Sequence, residues 1–435
     1  MISLSTLPLL SAGIEHSAPA LFWAIPFALI LLQIALWPLL APRFWIKNYP
    51  WVTLPLGAIV AVYYVFFRDG TSHMLHVGHE YLSFICLIGS LFVVSGGIHV
   101  GLPGGRFSPK QNVVLLAIGA VIANIFGTTG ASMILIRPFI RGNAWRFSKF
   151  HIAFFIFIVS NCGGALTPIG DPPLFLGYLR GVPFFWVLEA LWYKWMVGIA
   201  ILLLMFYWID RRHFRKETAE DQQAALAPNA VVFDGLQNLF FIFMILGAAF
   251  VTKPILVREA IMVAAAVGSY LTTPKKLHEQ NNFNFHPIQE VGILFAAIFA
   301  AMVPALDWLS ANAAALGINT TAGFYWLTGG LSAALDNAPT YLNFLSAAMG
   351  LFGLNVSNSA EVARFAVEHG DLLRTISISA VFFGALTYIG NGPNFMCKAI
   401  AEHEKVPTPS FIEYTGRYAI PLLGPVLIVT YFLVH

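Results

Sequence analysis

Charge is what this chain has least of. Of its 435 residues only 10% are Asp, Glu, Lys or Arg, while 58% are hydrophobic. A soluble domain carries about 25% charged residues, so the composition excludes one and points to an integral membrane protein. Cysteine is almost missing as well. Cys86, Cys162 and Cys397 are an odd number scattered through apolar sequence, which argues for small core side chains rather than a disulfide framework or a metal site. A formal net charge of +3 is too small for a nucleic-acid surface, and membrane lipids are the expected surroundings. The opening residues MISLSTLPLLSAG lack a basic stretch, so no cleaved signal peptide is expected. There is no P-loop, no G-x-S-x-G and no H-E-x-x-H, which leaves ATP-driven pumping and the common hydrolytic chemistries without support. His99 and His151 are the only histidines near apolar spans, and neither stands near a plausible activated serine. No enzyme and no cofactor is expected.

What the chain does have is apolar segments of about 20 residues with short polar links, the pattern of membrane helices rather than an outer-membrane barrel. Candidate spans are 20–40, 51–67, 81–99, 151–177, 185–208, 231–251, 255–272, 287–306, 375–398 and 416–434. Two further stretches do not fit a single crossing. Residues 112–139 would make a helix about 42 Å long against a hydrocarbon core of about 30 Å. They are interrupted by Gly127-Thr128-Thr129-Gly130 and are basic on both flanks, which suits a re-entrant hairpin. Residues 321–348 look like its counterpart, broken at Leu335-Asp336-Asn337-Ala338-Pro339.

With the N- and C-termini outside, the cytoplasmic segments collect 17 Lys and Arg and the external ones 6, as the positive-inside rule requires. In this topology residues 1–208 and 231–435 become inverted copies, joined by a hydrophilic cytoplasmic linker at 209–230. Each half has two spans leading into a third, then a hairpin (112–139 or 321–348), a broken span (151–177 or 375–398) and a closing span. Glu80 and Glu290 begin the third spans, the hairpin tips correspond at an offset of 208, and GALTPIGDPP from Gly164 recurs as GALTYIGNGP from Gly384, 220 residues on. Inverted repeats let one site face each side of a membrane in turn. The fold class read from sequence is thus an all-α integral membrane protein of about 10 transmembrane helices plus two re-entrant hairpins, with two discontinuous helices.

Residues 160–177, SNCGGALTPIGDPPLFLG, hold four glycines and three prolines inside an apolar segment, so their backbone cannot be plain helix. Irregular backbone at membrane depth is tolerated only when buried in protein or lining a wet cavity, so both breaks and both hairpin tips should meet near the midplane. Asp171 and Asp336 are the acids at these breaks. Asp171 either binds a cation or exchanges a proton, or it caps a helix; Asp336 could equally be the N-cap of its second hairpin arm. Thr128, Thr129, Ser160, Asn161, Asn337, Asn391 and Asn394 offer neutral oxygens of the kind sodium accepts, or they stabilise broken helix ends. Thr167 and Thr387 match across the repeat and could cap the turns. Glu80 and Glu290 are further proton-coupling candidates, with an interfacial position as the plainer reading. Glu189 and Lys194 could pair or snorkel. His73, His76 and His79 read as part of a solvated external loop, or as a metal or pH-sensing group.

At these residues the chain resembles the Ion Transporter superfamily, which includes NhaD-type sodium/proton antiporters, ArsB-type efflux permeases, citrate–metal symporters and divalent anion/sodium symporters. GGALTPIGDPP is similar to the GGxxxPIGD break of the NhaD-type antiporters. Thr128-Thr129 falls where that family has a Thr-Thr pair, and SAALDNAP from Ser332 resembles its second-hairpin Asp-Asn-x-Pro. IGNGPN from Ile389 looks instead like the G-T-P-P-N break of the divalent anion symporters. The resemblance implies a homodimer with a scaffold and a moving transport region working by an elevator-like motion. It also implies two ion sites, one with Thr128, Thr129, Gly170 and Asp171, the other with Asp336, Asn337, Gly390 and Asn391. Phe126-Gly127 replaces the Asn or Asp that many relatives place before the Thr-Thr pair, and the Ser-Asn-Thr tips of the carboxylate symporters are missing.

Acids at the breaks and no basic residue at a tip favour a cation as cargo. The leading expectation is a sodium/proton antiporter of a bacterial inner membrane, with Na+ and H+ the transported or coupling ions and the exchanging proton at Asp171. The alternative is a cation-coupled transporter of citrate or another carboxylate, and arsenite-type efflux comes third.

Overall fold

A computed structural model describes residues 19–101, 105–226, 232–251 and 253–434. Helices account for nearly all of its regular structure, as an all-α membrane protein requires. The first half contains α1 (Ile25–Leu40), α2 (Pro42–Phe67), α3 (Thr71–Gly96), α4 (Pro109–Asn143), α5 (Lys149–Ile158), α6 (Pro172–Arg180) and α7 (Trp186–Phe214). After α8 (Ala219–Leu226) the second half runs through α9 (Asn238–Ala249), α10 (Val257–Thr272), α11 (Lys275–Gln280), α12 (His286–Asn312), α13 (Thr321–Ala334), α14 (Asn337–Gly350), α15 (Ser359–Glu368), α16 (Gly370–Phe383) and α17 (Gly392–His403). A C-terminal helix spans Phe411–Val434. One short antiparallel pair, β1 (His99–Gly101) with β2 (Val232–Asp234), is the sheet among the described residues.

Among the described residues seven helices, counting α4 straight through its kink, are long and apolar enough to cross a membrane. The chain is therefore a multi-pass membrane protein, though with fewer continuous spans than the ten expected. The difference lies in elements of 9 to 16 residues, each shorter than the roughly 20 residues that one crossing needs. Residues 151–177 divide into α5 and α6, residues 375–398 into α16 and α17, and residues 231–251 contain only the 12-residue α9.

Other boundaries move as well. α2 begins at Pro42, well before residue 51, because proline suits the first turn of a helix, where its missing N–H costs nothing. α3 begins at Thr71, so His73, His76 and His79 lie on its first turns and not in a loop. The linker expected at 209–230 is helical through Phe214 and again from Ala219 to Leu226; its residues 227–230 lie outside the described ones. In it, Arg106 reaches across to Asp221. A hydrogen bond from Thr218, aided by that guanidinium, holds the Asp221 carboxyl below its ordinary range.

The packing is reciprocal. α2 of the first half lies on α12 of the second, and α10 of the second lies on α3 of the first. Beside these four helices stand the broken elements: α6 packs on α14, and α17 on α4. Each hairpin thus leans on the broken span of the opposite half. Phe154, Phe155 and Phe157 of α5, Phe206 of α7 and Phe382 of α16 are fully buried, and burying such a side chain stabilises a water-soluble core by about 1.5–3 kcal/mol. Within a bilayer that transfer gain is largely absent, and close packing with satisfied polar groups is what holds such elements together.

Candidate functional site

The site starts from backbone that helices cannot use. Gly127 has φ 72° and ψ 157°, a conformation open to glycine and strained for other residues, and it turns the chain between the two arms of α4. In the first break, a Cβ on Gly170 would run into the carbonyl of Gly164. In the second, a Cβ on Gly390 would lie 2.5 Å from the carbonyl oxygen of Gly384. Each break therefore requires glycine here, at Gly170 in the first and at Gly390 in the second.

Each hairpin tip is fastened to the break of its own half by the same bonds. The Thr128 N–H donates to the Gly170 carbonyl at 2.8 Å, and the Asn337 N–H donates to the Gly390 carbonyl at 3.2 Å. Thr167 Oγ1 donates to the Asn124 carbonyl and Thr387 Oγ1 to the Ala333 carbonyl, both at 2.6 Å. The two hydroxyls also accept from the N–H of Gly170 and Gly390, both at 3.1 Å. These bonds relate the breaks at an offset of 220 and the hairpins at 209. The hairpin register is one residue away from the 208 read from the sequence. Gly127 corresponds to Asp336, and Thr128 to Asn337.

The carboxylate of Asp171 is where the four irregular segments meet. Its Oδ1 accepts from Thr128 Oγ1 at 2.9 Å and from Asn391 Nδ2 at 2.8 Å, and its Oδ2 accepts from Asn337 Nδ2 at 2.7 Å. All four side chains are buried. Asp171 occupies the N-cap position of α6, yet its side chain makes no capping bond. Of the two roles open from sequence, capping is thus not the one it performs. The donors belong to both expected ion sites, so the residues form one cluster across the halves rather than two separate sites.

A second layer of amides surrounds this one. Asn161 Nδ2 donates to Asn394 Oδ1 at 2.6 Å, Asn394 Nδ2 donates to the carbonyls of Gly384 and Thr387, both at 2.9 Å, and Asn391 Nδ2 reaches the Ser160 carbonyl at 3.2 Å. Asn161 Oδ1 and Asn337 Oδ1 are buried with no hydrogen-bond partner among the described residues. Both amides lie close to Gly384: a Cβ there would be 3.2 Å from Asn161 Oδ1 and 3.4 Å from Asn337 Nδ2. Turning the Asn337 amide around would set its oxygen against the Asp171 carboxylate, so its orientation is fixed electrostatically.

Asp171, Thr128, Thr129, Gly127 and Gly170 also line a cavity of about 20 Å³ against Leu91 of α3. That volume holds about one water or one bare ion. Enclosed sites for larger organic ligands run to about 300–1,000 Å³. A carboxylate with neutral amide, hydroxyl and carbonyl oxygens, and no basic side chain bonded to it, suits a hard cation or a proton.

The other candidates separate clearly. Asp336 Oδ1 accepts the Ala338 N–H at 3.0 Å and caps α14, so its carboxylate performs the capping role and does not touch Asp171. Thr129 is half-buried beside the cavity. Glu80 is buried in the protein, 2.8 Å from Arg180 Nη2 and 3.3 Å from His76 Nε2. Its repeat partner Glu290 is half-buried. Glu189 and Lys194 do not pair, because Lys194 Nζ donates to the Ala190 carbonyl at 3.1 Å and lies over the Tyr193 ring.

Two groups escaped the sequence reading. Asn124 ties the first hairpin to its break, donating to the Gly163 carbonyl at 2.7 Å and accepting from the Leu166 N–H at 2.8 Å. Its counterpart is Ala333, so the repeat gave no signal for it. Asp210 is buried among Arg146, His151 and Asn112 and locks the base of that hairpin to α7. Its sequence signal, an acid at the end of a span beside a basic linker, read as a solvated charge.

A family model described as "Putative citrate transport" matches residues 16–435, nearly the whole chain. No curated protein matches it.

Proposed function

Because the chain belongs to this citrate-transport family, we propose that it is a secondary transporter carrying a citrate-type carboxylate across the membrane, coupled to a small cation bound at the Asp171 cluster. The observation that carries the coupling half is the carboxylate itself. Asp171 receives hydrogen bonds from Thr128, Asn337 and Asn391, all neutral, so its negative charge stays uncompensated at a depth where charge is costly. A sodium ion or a proton supplies the missing charge, and the partnerless oxygens of Asn161 and Asn337 are fitting ligands for the former. The family match favours a carboxylate as cargo over the sodium/proton exchange expected from the sequence.

On this reading the two halves are inverted repeats, and the reciprocal packing of α2 on α12 and α10 on α3 supports a scaffold built from both. The cavity of about 20 Å³ is far too small for a tricarboxylate. Substrate access then needs a movement of the hairpins and broken helices against that scaffold, which accords with alternating access.

The test is transport in sealed proteoliposomes. An inward sodium or proton gradient should drive uptake of labelled citrate, and Asp171→Asn should abolish it. Collapse of an imposed pH gradient by sodium, with no carboxylate present and no citrate uptake, would establish the antiporter instead.

A further inference from the structure

Four arginines are buried in or beside the membrane helices, and three of them hold a carboxylate. Arg146 Nη2 lies 3.0 Å from Asp210, Arg180 2.8 Å from Glu80, and Arg258 2.9 Å from Glu259. Arg137 is the exception. It is 7% exposed, and its Nε and Nη1 have no hydrogen-bond partner among the described residues. The nearest carboxylate oxygen, on Glu404 of α17, is 3.9 Å from Nε, beyond hydrogen-bond reach. A guanidinium remains charged in a protein and offers a planar fork of donors that matches a carboxylate. Leaving two of its donor nitrogens buried and unmatched is costly.

Its position gives the fork a use. Arg137 stands on the second arm of α4, nine residues after Thr128, which places it about 14 Å along the helix from the Asp171 cluster. One turn further on, Arg141 is exposed, so the two form a basic ladder leading from the surface toward the cluster. α17 packs against this arm, and a buried polar chain of Ser132, Ser160 and Cys397 (2.8 and 3.4 Å) joins the two elements. We propose that Arg137 is a carboxylate-binding residue, a station for the substrate anion between the basic flank of the first hairpin and the Asp171 cluster. This inference rests on the carboxylate reading above, and it separates the anion site from the cation site.

The test is equilibrium binding of labelled citrate to the purified full chain in detergent, with the sodium-induced rise in Tm as a second readout. Arg137→Gln should weaken citrate binding about tenfold or more, the loss of one charge-assisted partner, while leaving the sodium-induced Tm rise in place. Arg137→Lys, which keeps the charge and loses the fork, should fall between, and it serves if the glutamine variant does not fold. Glu404→Gln should bind citrate as well as wild type or better. Wild-type-like binding by Arg137→Gln would overturn the inference and leave the carboxylate reading standing. So would a Glu404→Gln loss as large as that of Arg137→Gln, which would make the arginine a structural partner of Glu404. A wild-type chain that binds no citrate would instead overturn the carboxylate reading, and this inference with it.

Discussion

The two halves of the molecule use the same bonds to hold a hairpin against a broken helix, and they place their charges differently. At the helix break the first half has Asp171 and the second has Asn391; at the hairpin tip the first has Gly127 and the second has Asp336. Thr128 and Asn337 then fasten equivalently to Gly170 and Gly390. The difference teaches that the backbone frame is symmetric while its electrostatics are not. One carboxylate is drawn into the cluster by donors from both halves, and the other is occupied in capping α14. On the proposed transport reading, a symmetric frame would present the same geometry toward each side of a membrane, and a single central charge would leave one principal place for a coupling ion.

The comparison breaks most readily at the acids. Asp171→Asn should eliminate gradient-driven uptake, with sodium affinity in a Tm-shift titration falling about 100-fold, whereas Asp336→Asn should retain measurable uptake. Equal losses would show that both acids serve the ion. Adding Asn391→Asp to Asp171→Asn returns a carboxylate–amide pair to the cluster and should recover part of the activity. Recovery should be incomplete, because Asn391 also donates to the Ser160 carbonyl, which a carboxylate cannot do.

Glu80 and Glu290 give the next largest contrast. Glu80→Gln leaves Arg180 buried without its counter-charge, a change worth about 3–5 kcal/mol, and thermal unfolding should record it as a large fall in Tm. Half-buried Glu290, changed to Gln, should alter Tm little. Gly127→Ala should cost about 1–3 kcal/mol from its glycine-only backbone conformation alone, with its Cβ 3.3 Å from the Ile169 carbonyl, measurable as a lower midpoint in the same assay. Smallest is the cap: Asp336→Ala should cost about 1 kcal/mol, and Asp336→Gly only a few tenths. A Gly variant no more stable than Ala would argue that the carboxylate does more than cap.

Much of this was legible beforehand. Four glycines and three prolines in residues 160–177 cannot lie in an unbroken helix, and their near-copy 220 residues later marks the second break without any structure. Thr128, Asn337 and Asn391 were found by the same reasoning and do touch Asp171. Boundaries were less legible, because helices such as α2 and α7 continue past their apolar stretch into polar residues, which hydropathy alone does not mark as helical. The histidines of α3 looked like a loop for the same reason.

Sequence by itself determined that the chain lies in a membrane, where its backbone must break, and which small set of polar side chains sits at those breaks. Composition and backbone stereochemistry are local properties, and they act on every residue whatever its distant neighbours are. Only the tertiary structure decided which acid receives the hydrogen bonds and which caps a helix, that residues expected in two ion sites share one cluster, and that buried Arg137 has its acid, Glu404, 3.9 Å away and beyond hydrogen-bond reach. Those outcomes depend on contacts such as Asp171 with Asn391, 220 residues apart, and on distances of a few tenths of an ångström that no local pattern contains.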